Sequence, residues 1–110
     1  MTPELPLNEP TFLVLLALAR EPRHGYAILK EVELLSDQRV VLSTGTLYGA
    51  LQRLTEGGWV RRIASKGGDR RRGVSYTLTA RGRDGLAAEC KRMQSLARLG
   101  RRHLAGEVAG

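Results

Sequence analysis

Two stretches of this sequence hold the side chains best suited to act on another molecule, and neither has the make-up of a catalytic site. The first is Ser43 to Val60, STGTLYGALQRLTEGGWV. Leu47, Ala50, Leu51 and Leu54 recur there at i, i+3, i+4 and i+7, the apolar stripe of a single helix face. The opposite face carries Gly45, Gly49 and Gln52, flanked by Thr46, Tyr48 and Arg53, with no acid before Glu56. A solvated face normally carries several Glu and Lys. A bare, hydrogen-bonding one suits close approach to another surface, and the major groove of DNA, about 12 Å wide, admits such a helix. The second stretch is Lys66-Gly67-Gly68-Asp69-Arg70-Arg71-Arg72-Gly73. Its three consecutive arginines repel one another unless anions such as phosphates neutralise them.

Enzyme chemistry is absent from the pattern. There is no paired-carboxylate constellation and no cluster with metal-ligand spacing. The Gly-Gly-Asp loop lacks the Lys-Ser/Thr of a phosphate-binding loop. No catalytic residue, metal or cofactor is expected. The one cysteine, Cys90, excludes an intrachain disulfide and a thiolate cluster, which fits a reducing compartment. The longest apolar run, Phe12 to Ala19, is far below the roughly 20 residues of a membrane span, and it lacks the basic flank and cleavage site of a signal peptide. A cytoplasmic protein with no membrane partner is expected.

Charge points to a polyanion. Lys and Arg total 18 against 11 acids in 110 residues, a net charge of +7. The excess is localised. Residues 23–58 balance at four basic and four acidic, 61–73 carry six against one, and 81–102 carry seven against two.

The elements that must position these groups follow in order. Residues 1–8, with Pro3 and Pro6, read as a flexible tail. Asn8-Glu9-Pro10 opens a helix to about Arg20 that is apolar all round from Phe12 to Ala19, so it is buried on more than one side, and one side is available to a second subunit. His24-Gly25-Tyr26 opens a second helix to about Leu35, with Ala27, Ile28, Leu29, Val32, Leu34 and Leu35 as its apolar face. His24 reads as a structural cap, and Tyr26 either packs or reaches a phosphate. Val40-Val41-Leu42 reads as an abbreviated strand. Ser43 caps the helix described above, and Gly57-Gly58 ends it. Trp59 to about Ser65 and Val74 to Leu78 form a hairpin around the cationic tip. Thr79 caps a last helix from Ala80 to Leu104, frayed by Gly100 and Gly106. In it Leu86, Cys90, Met93, Ala97, Gly100 and Leu104 follow a heptad seam. At about 37 Å this helix is longer than so small a domain can cover, which favours a dimer. Cys90 reads as a small thiol of that seam, with a redox sensor as the alternative.

Helix, helix, short strand, helix and a two-stranded wing is the winged helix-turn-helix order. RHGYAILKEV (Arg23 to Val32), STGTLYGALQRLTEGGWV and SYTLTARGRDGL (Ser75 to Leu86) together resemble the PadR family of bacterial transcriptional regulators, in its short subgroup with a single C-terminal helix. The fold expected is mostly α with a small β-hairpin. Residues 9–78 form the winged helix DNA-binding domain and 79–106 a long C-terminal dimerisation helix.

The resemblance implies a homodimer, usually a repressor, that binds double-stranded DNA. Its third helix enters the major groove and its wing lies on the backbone or in the minor groove. Ser43, Thr44, Thr46, Tyr48, Gly49 and Arg53 then fall in the recognition element, Tyr26 beside it, and Lys66, Arg70, Arg71 and Arg72 in the wing. Thr44, Thr46, Tyr48, Gln52 and Arg53 are the base-edge candidates, with Arg53 suited to guanine and Gln52 to adenine. The last helix falls at the dimer interface through Leu86, Cys90, Met93, Ala97 and Leu104, with Phe12 and Leu16 of the first helix beside it. Some short members take planar drugs or phenolic compounds between subunits, often against a tryptophan of the last helix. This chain has no aromatic residue after Tyr76, and its small-molecule effector is unassigned. A winged-helix protein-interaction module and a small RNA-binding protein are the alternative readings. No exposed aromatic pair for base stacking supports the second.

Overall fold

The computed structural model describes residues 5–64 and 73–106. Four helices surround a three-stranded antiparallel sheet: α1 (Glu9–Ala17), β1 (Arg23–His24), α2 (Gly25–Leu35), α3 (Thr44–Glu56), β2 (Val60–Ala64), β3 (Val74–Leu78) and α4 (Ala80–Leu104). The core is Val14, Leu15, Leu18, Ile28, Val32, Leu47, Leu51, Leu54 and Val60, all nearly inaccessible, closed by Trp59, Tyr76 and Leu86.

The helix starts are set by side chains at the expected places. Asn8 Oδ1 accepts from the Thr11 N–H at 2.9 Å, Ser43 Oγ from Thr46 at 3.1 Å, and Thr79 Oγ1 from Gly82 at 3.0 Å. His24 Nδ1 accepts from the Ala27 N–H at 3.3 Å, the structural role read for it. The helix ends depart more from expectation. α1 stops at Ala17, not Arg20, because Leu18 and Ala19 donate to the carbonyls of Leu15 and Leu16 and tighten the last turn. Its last turn holds no cation of its own. Arg23 Nε reaches the Ala17 carbonyl at 2.7 Å and Arg83 the Ala19 carbonyl at 2.9 Å, so distant arginines satisfy that end. α3 closes as expected at Gly57-Gly58. Gly58 lies at φ +79°, the Trp59 N–H donates to the Leu54 carbonyl at 2.9 Å, and Gly58 donates to Thr55 at 3.1 Å.

The sheet has one strand more than the expected hairpin. β3 pairs with β2 in the register Val60↔Leu78 to Ala64↔Val74, and its other edge takes β1 through Arg23↔Tyr76 and His24↔Ser75. Val40-Val41-Leu42 is not a strand. The second edge of β3 is taken by β1 and not by this run, whose Val40 N–H donates to Ser36 Oγ instead, at 3.0 Å. The turn before it is built without glycine. Asp37 and Gln38 both adopt positive φ, 54° and 66°, and Gln38 donates to the Glu33 carbonyl at 2.8 Å. Leu34 and Leu35, assigned to the apolar face of α2, are exposed at its end, 70% and 46% respectively, because the helix overruns the core there.

α4 is fastened at its first turns to the end of α3. Thr79 donates through its hydroxyl to the Gly58 carbonyl at 2.5 Å and through its N–H to the Trp59 carbonyl at 3.1 Å. Gly82 and Gly85 then let the helix backbone settle onto Trp59, which is buried. Glu89, also buried, holds the chain start. Its Oε2 accepts from the Leu7 N–H at 2.8 Å, and both oxygens take Arg92 in a bidentate pair at 2.7 and 3.1 Å. The tail expected over 1–8 is therefore tied down at its end. Beyond Arg92 the helix continues unbroken through Gly100 to Leu104 and stands clear of the domain, so Gly100 does not fray it.

Two outcomes are expected. A Cβ at Gly82 would sit 2.9 and 3.1 Å from backbone atoms of Trp59, which cannot step aside. Gly82→Ala should therefore lose about 1–3 kcal/mol, outweighing the helix-propensity gain of about 1 kcal/mol, in a urea titration. The second concerns Glu89, whose carboxyl is held below the usual carboxylate range by Arg92 and then by the Leu7 N–H. A carboxyl with a lower pKa folded than unfolded stabilises the fold above its unfolded value, about 4.3, and that contribution drains away as the pH falls through the folded value. Glu89→Gln should lower stability at pH 7 and flatten the acid limb of a stability profile taken from pH 7 to 3.

Candidate nucleic-acid interface

α3 buries Leu47, Ala50, Leu51 and Leu54, and that choice fixes what it shows to solvent. At about 100° per residue, Gly45, Gly49, Gln52 and Glu56 lie opposite the buried line. Tyr48 and Thr44 lie on one flank, Thr46 and Arg53 on the other. Ser43, Thr44, Thr46, Tyr48, Gln52 and Arg53 are all exposed, and Gly49 is half-exposed. The sequence-derived reader set thus occupies one continuous surface. Within it Ser43 is already engaged: besides capping, its hydroxyl donates to Thr46 Oγ1 at 2.9 Å.

The start of α2 borders this surface. Tyr26 is 65% exposed, with Lys30 Nζ 5.4 Å above the centre of its ring, a cation–π contact. Tyr48 is 45% exposed, and its ring end rests on Gly25, so two exposed aromatics border this surface where the sequence reading finds no exposed pair. Lys30, through that contact with Tyr26, is part of the same rim. Arg61 and Arg62 of β2 are exposed and, as neighbours in a strand, project to opposite faces of the sheet. Sequence reasoning counted them in the basic excess but placed the contact at the tip alone. The strand expected from Trp59 to about Ser65 carries the signal that would include them. Lys66, Arg70, Arg71 and Arg72, the wing residues of that reading, lie outside the described residues.

The second candidate surface is the free half of α4. Cys90, Met93, Ala97 and Leu104 are exposed along it, Leu104 by 91%, so Cys90 is not a core thiol of its own chain. Leu96 and Leu99 are exposed beside them and widen the apolar band beyond the heptad seam. Leu86, by contrast, is buried in its own domain, while Phe12 and Leu16 of α1 are half-buried against the core. Among the described residues no group of His, Cys, Asp and Glu is placed to hold a metal ion, and no helix is long and apolar enough to cross a membrane.

Comparison with known proteins gives the family and the fold. Residues 14–88 match the family model described as the transcriptional regulator PadR-like family. An uncharacterised 37.1 kDa protein in transposon TN4556 of Streptomyces fradiae is 43% identical over 89 residues, 81% of this chain, and this chain spans about a quarter (24%) of its length. The fold is shared with a PadR family transcription regulator from hypervirulent Clostridium difficile R20291 (TM-score 0.73, 22% identity, 88% of this chain and 99% of that one). It is shared too with Bacillus subtilis PadR solved in complex with operator DNA (TM-score 0.64, 22% identity, 74% of this chain and 46% of that one).

The glycines of α3 have no reason within the fold. A Cβ at Gly45 would meet nothing within 4 Å, and one at Gly49 only an Arg53 guanidinium nitrogen at 3.6 Å. Neither lies at positive φ. Each nevertheless weakens the helix by up to about 1 kcal/mol relative to alanine. Gly45→Ala and Gly49→Ala should each raise the stability of the isolated protein by up to about 1 kcal/mol in chemical denaturation.

Proposed function

The chain belongs to the PadR-like family of transcriptional regulators, and from that premise we propose that it is a sequence-specific DNA-binding repressor. It acts as a homodimer on an inverted-repeat operator, through helix 43–57 and the basic wing 64–74. The observation that carries this reading is the bare front of α3: a helix face that gives up stability at Gly45 and Gly49, for no contact of its own, and is rimmed by Tyr26, Tyr48, Gln52 and Arg53. With no side chain of their own at Gly45 and Gly49, the first two turns bring the helix backbone toward the groove floor, and Gln52 and Arg53 meet base edges from the third turn. Cations on both sides of the helix supply the phosphate term, which fixes register and gives salt-sensitive affinity.

In this reading residues 9–78 are the DNA-binding unit and 79–106 the dimerisation helix. The exposed apolar band of α4 at Met93, Leu96, Leu99 and Leu104 supports an unfilled contact with a second copy. A two-fold dimer places its two α3 helices about 34 Å apart, one DNA turn, and so selects half-sites at that spacing.

The test is fluorescence anisotropy on a duplex that the wild-type protein selects from a randomised pool, against a shuffled duplex of equal composition, each at two salt concentrations. A preference of about a thousandfold or more, at two chains per site, supports the reading. Equal binding to both leaves a basic protein without a reader, and no binding to either favours the protein-interaction alternative. Arg70, Arg71 and Arg72 changed together to Ala should weaken both duplexes alike and make the salt slope shallower by about one per lost contact. A loss on the selected duplex alone would make the wing a base reader.

A further inference from the structure

Tyr48 stands apart from the other α3 residues because its orientation is imposed from a second element. It lies about 100° around the helix from the buried Leu47, on the flank, not on the front shared by Gly45, Gly49 and Gln52. The end of its ring rests on Gly25, the first residue of α2. A Cβ at Gly25 would come within 2.9 Å of Tyr48 Cζ and closer still to the hydroxyl oxygen. Gly25 sits in ordinary helical backbone, so conformation does not demand glycine there. Space for the phenol does. The ring is also half-exposed, so it is not held by burial in the core. The molecule therefore keeps a seat clear for one side chain at the edge of its proposed reading face.

We propose that Tyr48 is a backbone-phosphate contact, not a base reader, and that Gly25 is the positioning residue that aims it. The assignment rests on the DNA-binding reading above. A helix in the major groove turns its front to the base edges and its flanks to the phosphate walls. A phenol laid sideways from the flank toward the start of α2 presents its O–H to that wall, where a phosphate oxygen accepts it. Tyr26, the residue after Gly25, is the more exposed of the two phenols. Base readout then falls to Gln52 on the front and to Arg53, whose longer side chain brings its guanidinium from the opposite flank to Gly49, and Tyr48 fixes how the helix is set in the groove.

The experiment uses the full chain, the duplex it selects from a randomised pool, and a shuffled duplex. Tyr48→Phe keeps the ring and removes only the hydroxyl. It should weaken both duplexes by the same factor, about tenfold for each subunit in contact, since a hydrogen bond to a charged oxygen is lost from each. The salt slope should not change, because a phenol displaces no counterion. Gly25→Ala should reproduce that loss, and in the Tyr48→Phe background should add less than about twofold. Replacing phosphates of the selected duplex by neutral methylphosphonates, in symmetry-related pairs, should reveal one pair at which wild type and Tyr48→Phe bind equally. A loss confined to the selected duplex, no loss, or no such pair overturns the phosphate assignment. Additive losses overturn the positioning role of Gly25. Should Gly25→Ala unfold, judged by circular dichroism, Tyr48→Phe and the methylphosphonate scan still decide the first claim. A wild-type chain that selects no duplex overturns the DNA-binding reading itself, whereas one that binds with Tyr48→Phe as its equal overturns only this assignment.

Discussion

The contact on which the rest of the molecule depends is the seat of α4 on Trp59. Two glycines one turn apart, Gly82 and Gly85, bring the helix backbone against the indole and the peptide of Trp59, and Thr79 bonds to both Gly58 and Trp59 just ahead of them. Gly58 is also the left-handed residue that ends α3. The end of one helix, the entry to β2 and the start of another are thus one packed junction with little free volume. Interiors of this density pass displacement on and do not absorb it. The direction in which α4 leaves the domain is therefore fixed relative to α3, and two protomers joined through α4 would hold their α3 helices at a set separation.

Around that rigid junction the surface is divided by chemistry. The front of α3 is bare, its flanks carry hydroxyl, phenol and guanidinium groups, and the exposed cations of β2 stand beyond. The free half of α4 carries both apolar and basic residues. The internal charges have different tasks. Arg23 and Arg83 complete the end of α1, Arg92 neutralises a buried carboxylate, and Arg39 takes Glu9 in an exposed bidentate pair that ties the α2–α3 turn to the start of α1. The total of 18 Lys and Arg residues therefore overstates what is free for a partner, since part of it is spent inside the fold.

Much of this was legible in the sequence, for identifiable reasons. The caps Asn8, Ser43 and Thr79, the Gly57-Gly58 stop and the period of Leu47, Ala50, Leu51 and Leu54 are local signals, and local signals suffice for α3, β3 and α4. Three features were not. β1 is two residues long, has no strand signature, and exists because β3 offers an edge. The Val40–Leu42 run has strand-forming side chains, yet that edge is already taken. The close packing at Gly82 and Gly85 reads in sequence as two poor helix formers, and only the fold shows what they approach. At the candidate site the exposed faces of α3 followed from periodicity, but the seat of Tyr48 on Gly25 joins residues 23 apart and needs the tertiary arrangement.

The free half of α4 also has a hydrodynamic consequence. The molecule measures 62 × 29 × 22 Å with a radius of gyration of 16.3 Å, against about 13 Å for a compact chain of this length. A rod on a globule drags more than its mass warrants. On a sizing column a single 12.1 kDa chain would elute ahead of its true mass, toward the position of a compact dimer. A dimer that laid the two rods along each other would bury that excess and gain less in apparent size than a doubling of mass implies. Mass-based measurements such as light scattering or sedimentation equilibrium separate the two species where elution volume compresses them.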